Sequence, residues 1–517
     1  MKRALIQTFG CQMNVHDSRR IEEVLAGSGY VLTDRAQEAD LVVFNTCSVR
    51  EKADHKLYSA VGTLRETKAR RSEMVIAVAG CLAQQQGERL LDRLDLVDIV
   101  IGPDNVAELP ALVRAVEGGG PPLARTEFDL DAPAFLTARP RADGREVTAY
   151  VTVMKGCDEG CTYCIVPYTR GRERYRPADE IVAEIATLVA GGVREVTLLG
   201  QTVNSWHDPS TQEGLGLRTE GATELSSPGE SRFVELLHRI AQEVPGLLRL
   251  RYTSPHPRHI TPALIRAHRD LDVLPAHVHL PVQSGSDRVL KRMLRRYRRD
   301  EVIERARALC AARPGFTLST DIIVGFPGET EHDFEQTLSL VQEVGFVSAF
   351  GFKYSPRPHT PALKLGDDVP DSDKSERLAR LFELTEAQGR AHLEGLVGAR
   401  AQVLFEGPSR SSGRAPAAEG QPSVGPGDAQ EIPLRRFVGR SERHEIVHVD
   451  VPATYDPVGL LCEVRIEAAN NHSLRGSLVS SLPEQARRSP EAWSDGHVGG
   501  VAADARTGAP LRLPVLP

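Results

Sequence analysis

The sequence predicts an α/β protein in three parts: an N-terminal parallel α/β domain, a central run of six βα units and a small C-terminal β-barrel. Three observations carry this reading. Apolar runs alternate with amphipathic stretches over residues 1–117, and the same alternation resumes from Tyr150. Beyond about residue 391 the texture changes to short segments of period two. At 517 residues the chain is too long for one core, so several domains are expected.

In the first part the strand candidates are ALIQTFG, LVVFNT, EMVIAVAG and LVDIVIG, with helical stretches starting near Asn14, Glu51, Gln84 and Asn105. A Pro/Gly-rich connector follows over 118–145. The six central candidates are YVTVM, EVTLLG, LLRLRYTS, AHVHLPV, TLSTDIIVGF and AFGFKYS. Helical patterns separate them around 178–190, 231–243, 261–270, 286–312 and 330–345. Six such units fit a partial parallel barrel or a large open sheet. Residues 207–230 lack periodicity and read as a surface insertion. A helix over about 372–394 leads into ARAQVLFEG, RRFVGRSERHEIVHVD and LLCEVRIEAANNHSLRGSLV, the strands of a small barrel. The composition of 408–433 and of the tail predicts disorder. The expected domains are therefore 1–117, 143–388, 391–482 and a tail over 483–517.

No apolar run approaches the roughly 20 residues of a membrane span. Lys2 and Arg3 precede only a short apolar stretch, so no export signal is expected and the chain reads as cytoplasmic. A net charge of −7 excludes a globally basic nucleic-acid binder but leaves room for local arginine clusters. In such a chain eight cysteines favour metal or redox chemistry over disulfides.

Three of them read Cys157-Asp-Glu-Gly-Cys161-Thr-Tyr-Cys164 directly after a strand. One tight loop then delivers three soft sulfurs to one small volume, with Gly156 and Gly160 giving the backbone its freedom. A [4Fe–4S] cluster held by three cysteines keeps one iron open. A zinc site is the alternative, although structural zinc sites use four ligands and no fourth Cys or His lies close by in sequence.

CxxxCxxC at the end of a first strand, followed by five further βα units, resembles the radical S-adenosylmethionine (SAM) superfamily. That resemblance implies a partial TIM-like (βα)6 barrel whose open iron chelates SAM, which is cleaved to a 5′-deoxyadenosyl radical. It also implies SAM contacts at Gly200 and Gln201 after the second strand, at Gln283 and Ser284 after the fourth, and at Asp321 and Gly325 around the fifth. All fall at carboxyl ends of strands, the active edge of parallel α/β folds.

Cys11, Cys47 and Cys81 stand far apart, yet each falls at or just past the carboxyl end of a separate N-terminal strand. In a parallel sheet those ends share one edge, so three thiols can converge there. Singly, each also fits a packed core position. The stretches TFGCQMN, NTCSVRE and AGC resemble the methylthiotransferase family. Its N-terminal domain holds a second [4Fe–4S] cluster linked to sulfur delivery, so the resemblance implies that Cys11, Cys47 and Cys81 are its ligands.

Within the family, CQMN, NTCSVRE, CIVPYTRGRE and LLGQTVNSW are most similar to the branch that modifies isopentenyl-adenosine beside the tRNA anticodon. Thr202 and Trp206 depart from it, as Asn and Tyr are more usual there. The resemblance implies tRNA (the anticodon stem-loop) as partner, together with an external electron donor and a sulfur donor. Arg170, Arg172, Arg174 and Arg176, and Arg292, Arg295, Arg296, Arg298 and Arg299, are candidate phosphate contacts or solvated faces. FVGR at 437–440 and NNHS at 470–473 make the terminal barrel resemble a TRAM domain, a small OB-like RNA-binding barrel, with a plain stabilising barrel as the alternative. Cys310 and Cys462 read as packing residues. Two rival functions remain: methylthiolation of another tRNA base or of a ribosomal protein, and non-catalytic iron–sulfur RNA binding.

Overall fold

The computed structural model of the chain describes residues 1–10, 12–48, 51–128, 135–140, 144–210, 232–409 and 433–487. Strands β1 (Lys2–Phe9), β2 (Tyr30–Leu32), β3 (Leu41–Thr46), β4 (Val75–Gly80), β5 (Ile99–Ile101) and β6 (Leu123–Arg125) form one parallel sheet, ordered β2-β1-β3-β4-β5-β6. Every residue of β3 and β4 is buried. Alternate side chains feed two cores: Val42, Phe44, Ile76 and Val78 on one face, Leu41, Val43, Val75 and Ala77 on the other. Four strands are expected from the sequence and six form. β6 lies within the stretch read as a bare connector, so the sheet runs past residue 117. Both additions are three-residue edge strands, too short to show a period.

The six central strands form where expected. After β7 (Thr148–Thr152) comes a short hairpin of β8 (Met154–Lys155) with β9 (Arg174–Tyr175), then β10 (Glu195–Leu199), β11 (Arg249–Tyr252), β12 (His277–His279), β13 (Thr317–Val324) and β14 (Ser348–Lys353). Parallel ladders join β7, β10 and β11 into one arc and β12, β13 and β14 into another. Among the described residues no ladder joins β11 to β12. Both arcs nevertheless share one apolar core, from Val151, Leu198 and Leu250 to Val278, Leu318 and Ile322. Both also line one cavity of about 230 Å³. They are the two halves of a partial barrel. The helix expected over 286–312 is broken into Asp287–Arg292 and Arg299–Ala312.

Strands β15 (Arg400–Pro408), β16 (Leu434–Ser441), β17 (Ile446–Pro452), β18 (Leu461–Ala469) and β19 (Leu474–Leu478) close into a barrel ordered β15-β16-β17-β19-β18. Val403, Phe405, Phe437, Val449 and Ile466 fill it. Cys462 packs against this core and Cys310 against the central one. Most of the expected insertions, 211–231 and 410–432, and the tail from 488 lie outside the described residues. The first residues assigned to that tail are built into the fold: Glu484–Ala486 form a 3-10 turn, Ala486 is buried and Arg487 bridges to Tyr455.

The terminal barrel sits on the amino ends of the central strands. Arg249, the first residue of β11, donates to the carbonyls of Arg440 (2.8 Å) and Gln402 (2.7 Å), and Arg251 donates to that of Ser441 (3.2 Å). Glu195, 3.0 Å from Arg251, supplies the counter-charge.

The N-terminal sheet docks at the other end through ions. Asp104, just past β5, receives Lys155 Nζ at 3.1 Å and Arg174 Nη1 at 2.5 Å. Asp17, on helix Gln12–Gly27, receives Arg170 Nη2 at 2.5 Å. Burial pushes the Lys155 ammonium down while Asp104 opposes it. Burial alone would raise the Asp17 carboxyl, but Arg170 and His16 hold it well below the usual range. Asp104→Ala leaves two buried cations without their anion, which costs about 3–5 kcal/mol. The first calorimetric transition is expected to fall by roughly 10 °C. An unchanged transition would show that the clamp holds nothing.

Candidate functional site

The β8–β9 hairpin brackets the 156–173 loop and brings its ends together. Gly156 is obligatory at its start: φ is +81°, and a Cβ there would lie 1.9 Å from the Arg172 carbonyl oxygen. Gly160 is also left-handed, at +66°. The Cys157 amide donates to the Gly171 carbonyl (3.2 Å) and that of Cys164 to the Cys161 carbonyl (3.0 Å). All three cysteines are free thiols. Burial pushes the Cys157 thiol up to about 11, and burial with the neighbouring Cys161 pushes Cys164 up to about 12. On their own these thiols stay protonated, and a bound cation is what would turn them into thiolates.

Their spread does not match a single tetrahedral ion. Tetrahedral zinc with bonds of about 2.3 Å would hold its sulfurs about 3.8 Å apart. Among the described residues the group whose ligand atoms all lie within 4.8 Å of one another is Glu159, His256 and His259, not the three cysteines. That group latches the loop to the segment after β11, with His259 Nε2 3.0 Å and His256 Nε2 3.8 Å from the Glu159 carboxylate. Burial would raise Glu159, but the two histidines draw it down to about 2.

The residues expected to hold SAM divide. Gly200 packs so closely on Met154 that a Cβ would come 2.6 Å from its side chain. Gln201 Oε1 is buried with no hydrogen-bond donor among the described residues, as an acceptor for an ammonium would be. Next to it, Thr202 Oγ1 lies 3.1 Å from Cys157 Sγ. Gln283 takes φ +70° and bridges to Ile322 on β13. Asp321 is half-buried, its Oδ1 3.3 Å from His279 Nε2. The Gly325 amide is spent on the Glu329 carboxylate at 2.6 Å. Ser284 is held from behind. It is fully buried, its hydroxyl 3.3 Å from that of Thr337, so its side chain braces a helix.

In the N-terminal sheet, Phe9, Thr46 and Gly80 stand in register across β1, β3 and β4. Cys47 and Cys81 each come one residue later, on strands about 4.8 Å apart. Cys11 itself lies outside the described residues. Its neighbour Gly10 lies against Cys47, where an added Cβ would come within 2.7 Å of the cysteine Cβ. The flanking asparagines lock this edge. Asn14 Nδ2 donates to Asn45 Oδ1 and to the Thr46 carbonyl, both at 3.2 Å, while Asn45 Nδ2 donates to the Asn14 carbonyl (2.8 Å). Across the docking interface, Arg170 reaches both Asp17 and the Cys81 thiol.

The arginine runs mostly do not face solvent. Arg170, Arg174 and Arg176 are buried on Asp17, Asp104 and Glu184 respectively, and only Arg172 of that run is exposed. Arg295 is buried with Nη1 3.3 Å from Cys161 Sγ, and Arg292 donates to the Pro327 carbonyl. Arg298 and Arg299 are paired with acids, and Arg296 is exposed. Thr202, Arg295 and the Glu159–His256–His259 latch belong to the site although no spacing in the sequence announces them. A sequence signal existed for one pair, the two histidines three apart just past a strand end.

Residues 3–102 match the profile of the uncharacterized protein family UPF0004, and 151–341 match that of the radical SAM superfamily. The radical S-adenosylmethionine methyltransferase TsrM from Kitasatospora setae, with cobalamin and a [4Fe–4S] cluster bound, is 14% identical with a TM-score of 0.48, covering 70% of this chain and 77% of that one. The cobalamin-dependent radical enzyme OxsB, with aqua-cobalamin and S-adenosylmethionine bound, is 10% identical with a TM-score of 0.44, covering 75% and 56%. The tRNA-2-methylthio-N(6)-dimethylallyladenosine synthase of Sorangium cellulosum (strain So ce56) is 58% identical over 94% of this chain and 95% of its own length. A likeness that runs the full length, through both cysteine-bearing regions, makes the chain a member of the methylthiotransferase family of radical SAM enzymes.

Proposed function

We propose that this enzyme adds a methylthio group to carbon 2 of N6-isopentenyl(dimethylallyl)adenosine in tRNA, giving 2-methylthio-N6-isopentenyladenosine. The carrying observation is the pairing of two thiol sites across one clamped interface, in a chain 58% identical to a synthase of that product. Cys157, Cys161 and Cys164 hold one [4Fe–4S] cluster, and Cys11, Cys47 and Cys81 hold the other. Bound there, the clusters and SAM supply the one-electron chemistry that breaks an unactivated C–H bond, together with the inserted sulfur and the methyl group.

The protein's part is positioning and exclusion of water. Gln201 Oε1 accepts from the SAM ammonium, and Thr202 steadies Cys157. Gln283, Asp321 and Gly325 border the adenosine side. Arg172, exposed in the cluster loop, and Arg296, exposed in the helix break stitched to it, meet phosphates of the anticodon stem-loop. An external donor brings electrons, a sulfur donor restores the auxiliary site, and a tRNA substrate places the enzyme in the cytoplasm.

Mass spectrometry of tRNA nucleosides from a deletion strain tests the substrate. Loss of the 2-methylthio mark on isopentenyl-adenosine alone is expected, and loss on threonylcarbamoyl-adenosine would name the rival. Reconstituted protein is expected to hold about eight irons and a Cys157/Cys161/Cys164→Ala variant about four, so about four in the parent would end the two-cluster reading. Arg172→Ala and Arg296→Ala should each lower the slope of log affinity against log salt by about 0.7–0.9, whatever the tRNA sequence. Unchanged slopes would remove both residues from the RNA path.

A further inference from the structure

Arg295 lies in the break between helices Asp287–Arg292 and Arg299–Ala312. Its side chain is buried and all three nitrogens are engaged. Nη1 donates to Cys161 Sγ (3.3 Å), Nη2 to the Pro281 carbonyl (2.9 Å) and Nε to the Tyr297 hydroxyl (2.8 Å). Tyr297 in turn donates to the Val282 carbonyl at 2.8 Å. None of these partners is a carboxylate.

The backbone is bent to place it there. Leu294 and Arg296, on either side, take φ of +56° and +53°, a region that side-chain-bearing residues rarely adopt. The same break is stitched to the cysteine loop. Thr162 donates its amide to the Met293 carbonyl (3.0 Å) and its hydroxyl to that of Arg292 (2.9 Å). Two left-handed residues in a row of three persist only where the surroundings over-determine them, and such places cluster at functional sites.

A buried guanidinium requires an anion, and its contacts offer one only when the cysteines are thiolates. A [4Fe–4S] centre on three thiolates supplies that negative charge, and one-electron reduction adds one more. We infer that Arg295 is a positioning residue for the central cluster, donating to the Cys161 sulfur and raising the cluster's reduction potential by stabilising its reduced state. The electron comes from the external donor, or from dithionite in the assay. No bond is made or broken, and Arg295 stays protonated throughout. Outer partners that hydrogen-bond a ligand sulfur are a known lever on such potentials. The inference rests on Cys157, Cys161 and Cys164 being cluster ligands.

Redox titration of the reconstituted full-length enzyme, followed by electron paramagnetic resonance, tests it. The central cluster is identified as the one whose signal changes when SAM is added. If no signal in the parent responds to SAM, the assignment of the cluster fails, and this inference with it. With Arg295→Gln, the ratio of reduced to oxidised central cluster at a fixed potential is expected to fall at least tenfold, a shift of about 59 mV for a one-electron couple. Arg295→Lys, which keeps the charge, should recover most of it, and the auxiliary cluster should not move in either variant. A central ratio within threefold of the parent in Arg295→Gln overturns the inference, as does an equal shift at both clusters. Should Arg295→Gln fail to load its central cluster, iron content in Arg295→Lys decides. Full loading supports a requirement for charge, and an empty site makes the role one of shape and overturns it.

Discussion

Asp104 holds Lys155 and Arg174, the two cations that flank the 156–173 loop, and Asp17 holds a third, Arg170. Everything chemical in the molecule depends on that clamp. A parallel sheet presents its reactive edge at the carboxyl ends of its strands, and so does a parallel barrel. Two such units in one chain bring their edges together only if docked carboxyl end to carboxyl end. An apolar contact of the same area would stabilise as well or better, because burying ions costs nearly what their attraction returns. It would also tolerate sliding. Ion pairs with named partners on both sides admit one register, and here that register faces Cys47 and Cys81 toward the loop that carries Cys157.

The same economy of charge explains the arginines. Alternating Arg170, Arg172, Arg174 and Arg176 look in sequence like a strip offered to phosphate. In the structure only Arg174 lies on a strand, and three of the four turn inward, neutralised by Asp17, Asp104 and Glu184. The overall charge of −7 already carried a hint, since a chain rich in acids has counter-ions to spend inside. Arg295 differs in kind. It sits among carbonyls, a phenol and a thiol, so among these contacts only the cysteine sulfur, as a thiolate, offers it a compensating charge.

How much of this is legible in the sequence follows from the range of each interaction. The six central strands and the sheet core are legible because periodicity is local, and the central triplet because eight consecutive positions span it. The N-terminal triplet is legible only through topology, since β1, β3 and β4 must first be neighbours. The three-residue strands β2 and β6 leave no pattern to read. The break at 293–298 hides inside a helical composition, because its partners, Thr162 and the Pro281 and Val282 carbonyls, come from elsewhere in the chain. The surroundings of Ser284 are also set from far along the chain. It stands at a strand end in a motif-like QSGS, but Gly285 lets a helix backbone approach so closely that the hydroxyl meets Thr337 first.

The fold assigns its two ends to different work. Arg249 and Arg251 are consumed at the amino ends of the strands in seating the terminal barrel, which closes the floor of the central cavity with Glu406, Arg440 and His444. The cluster-bearing rim is left clear of it. The eight residues of β13 alone separate floor from rim by about 26 Å. An RNA whose modified base lies at the rim therefore touches the terminal barrel only by running down the outside of the arcs. A folded stem-loop is long and stiff enough to do this, whereas a free nucleoside is not. The architecture thus sets the cluster-bearing rim and the terminal barrel a full strand length apart, and the residues that seat the barrel are none of those that shape the cysteine loop.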